Sequence, residues 1–244
     1  MKPLHVDAPP HSRTATAPAD AHRWHHVLNA AAMVGVLLWD VHAYLSCHRY
    51  QPYYKWFGFL SRWTLALVAL YLVGVAWFAE ESGAPRRDGA AARWLWRAQS
   101  VALPASIAVV PLYWGQVFVE GYADKTHPLS SYFVHGFNAL VMLWDFALSE
   151  RAWRFGDLAP VLFYGFMNMG FMWIYYSASG CPDCDLDLEG HPYVYSVVDW
   201  RRPRAAAAAC LGAILIPVPL LSAGLTVLSN RLGNTRAFPS YRPR

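Results

Sequence analysis

Residues 57–79 read FGFLSRWTLALVALYLVGVAWFA, and residues 205–229 read AAAAACLGAILIPVPLLSAGLTVLS. Each run is long enough to cross a hydrocarbon core, which takes roughly 20 mostly apolar residues as a helix. A helix on the surface of a soluble bundle shows a polar face recurring every 3.6 residues. Neither run has one. In lipid the backbone must satisfy its own hydrogen bonds, so an open apolar run of this length is read as a transmembrane helix.

Working outward, four more runs have the same character: 27–47, 98–119, 131–149 and 158–178. The expected architecture is therefore all-α, an integral membrane bundle of about six transmembrane helices. The runs end in Trp, Tyr or charged residues, as an interfacial belt requires. Pro104 and Pro111 in the third run, and Pro217 and Pro219 in the sixth, are expected to kink their helices.

Composition agrees. Of 244 residues 56% are hydrophobic, 16% aromatic and only 15% charged. Soluble domains average about 45–50% apolar and about 25% charged. So apolar a chain cannot remain disordered, and four Cys do not make a disulfide scaffold. The net charge of +4 comes from short basic clusters between apolar runs. That pattern excludes a nucleic-acid partner and leaves membrane lipids as the expected one.

Three regions follow: a polar, disordered cytoplasmic tail over 1–26, a six-helix transmembrane domain over 27–229, and a basic cytoplasmic tail over 230–244. The first tail has no apolar core and is not read as a signal peptide. With six crossings the tails share a side with the loops after the second and fourth runs. That side carries thirteen of the twenty Lys and Arg, and the other side six. The positive-inside bias then puts both termini in the cytoplasm. The membrane is read as endoplasmic reticulum or endomembrane, or the plasma membrane.

This topology brings two reactive residue types to one depth. Ser61 lies about one turn into the second span and His135 about one turn into the fourth, both roughly 5–7 Å below the outer interface. A hydroxyl and an imidazole at matched depth are the parts of a nucleophile–base pair. Thr64, one turn deeper, is an alternative hydroxyl, and Asn138 shares the face of His135. The plainer readings are a helix-packing serine and a histidine that cross-links helices. Asp40, His42, Arg62, Asp145 and Asn168 also fall within or near spans, where polar groups face a bundle interior or a cavity. Asp40 and Arg62 are a candidate ion pair, and Asp145 a candidate for a network that reaches His135 through intermediaries.

Before the last span lies GCPDC, with Cys181 and Cys184. A disulfide in so small a ring is strained and labile. Zinc would need two ligands beyond the cysteines, and only His191 is near. Asp183, Asp185, Asp187 and Glu189 read as a solvated acidic loop or a weak hard-cation site. Cys47 and Cys210 read as packing residues. No cofactor or metal is expected. In PYVYSVVDW, Tyr193, Tyr195, Asp199 and Trp200 suit the headgroup interface; folded over the second and fourth spans, the same segment would form a lid on a lipid-entry pocket.

FLSRW at the start of one span, HGFN opening a later one and PYVYSVVDW before the last together resemble the androgen-induced-protein and rolling stone family of multipass membrane proteins. The resemblance runs from about residue 54 to 230 and is closer to the rolling stone branch, which is associated with myoblast fusion. The androgen-induced branch is similar to intramembrane hydrolases of fatty-acid esters of hydroxy fatty acids, which use a Thr and a His. The resemblance puts the nucleophile on Ser61. That branch has two histidines three apart and uses the second. Here the first falls on His135 and the second on Asn138, which cannot act as a base, so a catalytic His135 requires a one-turn shift or a different geometry.

Two function classes follow. One is a membrane-embedded hydrolase of fatty-acid esters, with Ser61 as nucleophile, His135 as base and Asn138 as oxyanion donor. The other is a non-catalytic membrane protein in cell adhesion, fusion or scaffolding, with protein partners the sequence does not name. A transporter is weaker, since no inverted repeat is visible.

Overall fold

The computed structural model describes residues 19–47, 60–78, 90–119, 129–149, 151–179 and 198–233. Cys181, Cys184, His191, the acids between Cys181 and His191, Tyr193, Tyr195 and most of both tails lie outside the described residues. Among the described residues the fold is all-helical. In chain order the helices are α1 (Ala19–Cys47), α2 (Leu60–Phe78), α3 (Ala90–Val119), α4 (Leu129–Tyr132), α5 (Asn138–Leu148), α6 (Leu158–Ser179), α7 (Pro203–Leu215) and α8 (Pro217–Arg231). A π-helical segment, Phe133–Phe137, joins α4 to α5, and a 3₁₀ turn, Phe155–Asp157, leads into α6.

Five stretches are long and apolar enough to cross a membrane: Trp24–Ser46, Leu60–Phe78, Ala90–Gly115, Phe155–Ala178 and Pro203–Arg231. A shorter apolar stretch, Phe133–Leu148, makes the sixth. With α4 it is continuous helix from residue 129 to 148. The six-run reading holds, with boundaries within a few residues except at two helix starts. Helix α1 begins at Ala19, inside the stretch read as tail, and α3 begins at Ala90 rather than near 98.

Spacing explains which faces turn inward. On α2 the buried residues are Ser61, Thr64, Leu65, Val68, Ala69, Tyr71, Leu72 and Val75, in steps of three and four. Leu70, Val73 and Trp77 on the other face are exposed. Lipid covers such a face at little cost, because acyl chains are as apolar as the side chains. The main core joins Met33 of α1, Leu65 and Leu72 of α2, Leu103 of α3, Met142 and Phe146 of α5, and Leu225 of α8. A smaller cluster joins Met172 of α6 to Val198, Trp200, Ala206 and Cys210. Trp200 is thus buried in packing, where an interfacial anchor was one expectation. Beside it Asp199 takes a two-pronged hydrogen bond from the Arg201 guanidinium, which holds its carboxyl below the usual range.

The prolines act unequally. Helix α3 runs on through Pro104 and Pro111, with the Ser106 hydroxyl donating to the Leu103 carbonyl at 2.8 Å. The last span breaks at Ile216. Pro217 and Pro219 cannot donate to carbonyls one turn back, and the helix stops and restarts there.

Candidate functional site

The π-helical segment FVHGF carries His135. A π-turn inserts one residue into an α-helix and is concentrated at functional sites. His135 stacks face to face on Tyr113 of α3, ring centroids 3.5 Å apart and planes within 6°. This contact sets the plane of the imidazole. Its Nδ1 is buried and has no hydrogen-bond partner.

A cavity of about 360 Å³ opens at this level between α2, the end of α3, the π-segment, α6 and α7. Pockets that hold small molecules run from roughly 300 to 1,000 Å³. Ser61 and His135 both line it, and so do Tyr113, Asn168, Val198 and Cys210. The remaining lining is apolar, dominated by Met, Leu, Ile, Val and Ala. Among the described residues no hydrogen bond joins Ser61 to His135.

The two other candidates from the sequence behave differently. Thr64 is fully buried, donates to the Leu60 carbonyl at 2.9 Å, meets the Tyr164 hydroxyl at 3.1 Å, and does not line the cavity. Asn138 is also fully buried, is not part of the lining, and has no hydrogen-bond partner at either amide atom. Asn168 of α6 is 2% exposed, lines the cavity and has a partnerless Nδ2. It was visible in the sequence only as one more polar residue within a span. Nothing in its spacing tied it to Ser61 and His135.

Arg62, beside Ser61, forms the ion pair expected with Asp40 at 3.2 Å and lies over the Tyr44 ring at 4.6 Å. Asp145 does not serve His135. It belongs to a separate polar cluster with Tyr71 and Gln99. Ten residues separate it from His135 along nearly continuous helix, about 15 Å at 1.5 Å per residue. Val198, from the segment read as a lid, does line the cavity.

Comparison with known proteins gives one consistent result. The family profile described as protein rolling stone matches residues 55–239. Protein rolling stone of Drosophila melanogaster is 25% identical over 139 residues, a match covering 56% of this chain and 48% of the relative. The aligned part thus spans about half of that relative's length. No solved structure matches. The profile takes in the three segments that carry the resemblance, FLSRW, HGFN and PYVYSVVDW, and the apolar helices between them are those of a membrane bundle. The chain therefore belongs to the rolling stone family of membrane proteins.

Proposed function

We propose that the chain is a membrane-embedded hydrolase of lipid esters. Ser61 is the nucleophile, His135 its base, and Asn168 the amide donor to the oxyanion. The observation that carries this reading is the convergence of Ser61, His135 and Asn168 on one apolar cavity, with His135 Nδ1 and Asn168 Nδ2 lacking a hydrogen-bond partner. The donor role read onto Asn138 passes to Asn168, because Asn138 is not in the lining.

The chemistry balances with these groups alone. Ser61 Oγ bonds to the acyl carbon while its proton moves to a His135 nitrogen, and the carbonyl oxygen gains charge beside the Asn168 amide. The C–O bond to the alcohol breaks, and the alcohol leaves with the proton from His135. Water then attacks the acyl carbon and gives a proton to His135; the bond to Ser61 Oγ breaks, Oγ takes that proton back from His135, and the acid leaves. The apolar wall suits an acyl chain entering from the bilayer.

Labelling by a fluorophosphonate probe tests the reading. Wild-type protein folded in detergent is expected to label, and Ser61→Ala and His135→Ala to lose the label while keeping the wild-type melting profile. Folded wild-type protein that takes no label sinks the hydrolase and leaves a non-catalytic membrane component in adhesion, fusion or scaffolding.

A further inference from the structure

At the end of the bundle away from the Ser61 cavity, a second cluster has no part in this chemistry. The start of α1 brings His25 and His26 against Asp145 near the end of α5. One potential ligand atom from each of the three lies within 4.8 Å of the others. His26 and Asp145 are buried and His25 is half-buried.

Asp145 is held as a metal-binding carboxylate is held. Its Oδ2 accepts from the Tyr71 hydroxyl at 2.7 Å and from the Gln99 amide at 3.1 Å. The amide is itself oriented, because Gln99 Oε1 accepts from Arg151 Nη1 at 3.0 Å. Outer bonds of this kind fix a ligating oxygen in place. The other oxygen, Oδ1, has no hydrogen-bond partner, although the residue is wholly buried. It faces His26 Nδ1 at 3.3 Å, and that nitrogen also has no hydrogen-bond partner.

Charge makes the same point. Arg151 reaches Asp145 only through Gln99, and its guanidinium is taken up by Asp157 at 3.2 Å, the Ser100 hydroxyl at 2.6 Å and the Trp96 carbonyl at 3.1 Å. Among the described residues the hydrogen-bond donors to Asp145, Tyr71 and Gln99, are neutral, and His26 is the one side chain at ion-pair distance. A buried carboxylate without a cation carries an unrepaid desolvation cost. The His26–Asp145 spacing of 3.3 Å fits a metal, since ligand atoms about 2.0–2.1 Å from a tetrahedral zinc lie about 3.3–3.4 Å apart, and the His25 atom, within 4.8 Å of the other two, closes on the ion as it binds.

We propose that His25, His26 and Asp145 hold a divalent transition metal ion of the zinc type, with a fourth position left open. Two imidazoles and one carboxylate are a donor set for zinc and its neighbours, whereas magnesium and calcium take oxygen. His25 meets the Trp144 indole N–H at Nδ1 (3.2 Å) and the Asn29 side-chain amide at Nε2 (2.9 Å). Ligation exchanges one of these contacts for the metal and keeps the other as the bond that orients the ring. The site stands independently of the hydrolase reading and shares no residue with it.

The test uses full-length protein purified in detergent without a histidine tag and stripped with a chelator. Zn(II) is added against a chromophoric competitor, and Co(II) is added in parallel for its visible d–d bands. Wild-type protein is expected to take one tight equivalent of zinc, to give tetrahedral cobalt bands and to melt at higher temperature with zinc. His25→Ala and His26→Gln each weaken binding about tenfold or more, by comparison with the loss on removing even an outer-shell partner. A variant lacking His5, His11 and His22 keeps the equivalent. The proposal is overturned by less than one equivalent in wild-type protein, by unchanged affinity in His25→Ala and His26→Gln, or by loss of binding in the variant lacking His5, His11 and His22. His25 is half-buried at the start of a helix, so its variant decides the matter even where a change at Asp145 prevents folding.

Discussion

Thr64 and Ser61 present two hydroxyls one turn apart on α2, and their surroundings separate them. Thr64 spends its proton on the Leu60 carbonyl and packs against Tyr164, whereas Ser61 lines the cavity. The two asparagines divide in a similar way. If Asn168 donates to the oxyanion, Asn168→Ala lowers the rate of acyl transfer by about 10²–10³ with little change in substrate affinity, as loss of one such donor does elsewhere. Steady-state kinetics on a lipid ester reads this directly. Asn138→Leu should do the reverse. A buried amide with no partner is costly, and an apolar group of similar shape is neutral or stabilising. Activity should persist and the melting temperature hold or rise; loss of activity with the fold intact would return the donor role to Asn138.

Arg151 makes a prediction of its own. It is 1% exposed, bonded to Gln99, Ser100, Trp96 and Asp157, and flanked by the Trp96 and Trp153 rings at 4.9 and 5.1 Å. Arg151→Met strands Asp157 and three polar partners, at a cost of about 3–5 kcal/mol. Thermal or denaturant unfolding in detergent should show the loss. Little of this was legible in the sequence, where Arg151 counts only as a positive charge in a short loop. The Asp40–Arg62 pair was legible, because two opposite charges at similar depth in neighbouring spans have few other partners.

At the scale of elements, apolar run length located the five stretches long enough to cross and the shorter apolar stretch Phe133–Leu148, because the requirement to satisfy the backbone in lipid leaves no other structure. The break at Ile216 follows from Pro217 and Pro219, which remove two donors in succession. The π-turn at Phe133–Phe137 has no such signature, since it depends on how α4 and α5 meet Tyr113 and Trp39 around it. Its one extra residue sets the heading of His135. Deleting Gly136, whose Cβ position faces open space, should restore α-helical register and turn the preceding residues by about 100° about the axis. His135 then leaves the cavity. Probe labelling of Ser61 should vanish while the melting temperature falls by only a few degrees; retained labelling would remove His135 from the chemistry. Gly165 tests the opposite wall. A Cβ there would meet three Ile214 side-chain atoms at 3.0–3.3 Å, so α6 and α7 approach closely. Gly165→Val should cost about 1–3 kcal/mol by overpacking and reduce labelling by narrowing the cavity.

For the molecule as a whole, the two polar clusters sit at opposite ends of one bundle, so the side each end faces decides which solutes reach it. On a six-crossing reading the termini share one side, and the excess of Lys and Arg in the loops on that side predicts that it is the cytoplasm. The start of α1 carries His25 and His26, so this orientation predicts that the proposed metal site faces the cytosol and the Ser61 cavity the lumen or exterior. The prediction is that epitopes at both termini are reached by antibody after selective permeabilisation of the plasma membrane alone. A glycosylation acceptor placed in the loop between α2 and α3 should stay unmodified, and one placed between α6 and α7 should be glycosylated. Removing basic residues tests the cause: replacing Arg86, Arg87, Arg93 and Arg97 with Gln takes away four of the thirteen positive charges on the side read as cytoplasmic. A mixed population should result if the charges set it. A chain that keeps one orientation without them, or whose two ends are reached from different sides, would require either a different determinant or an odd number of crossings. The second outcome would point to Phe133–Leu148 as the stretch that fails to span, since it is the shortest apolar helix of the six.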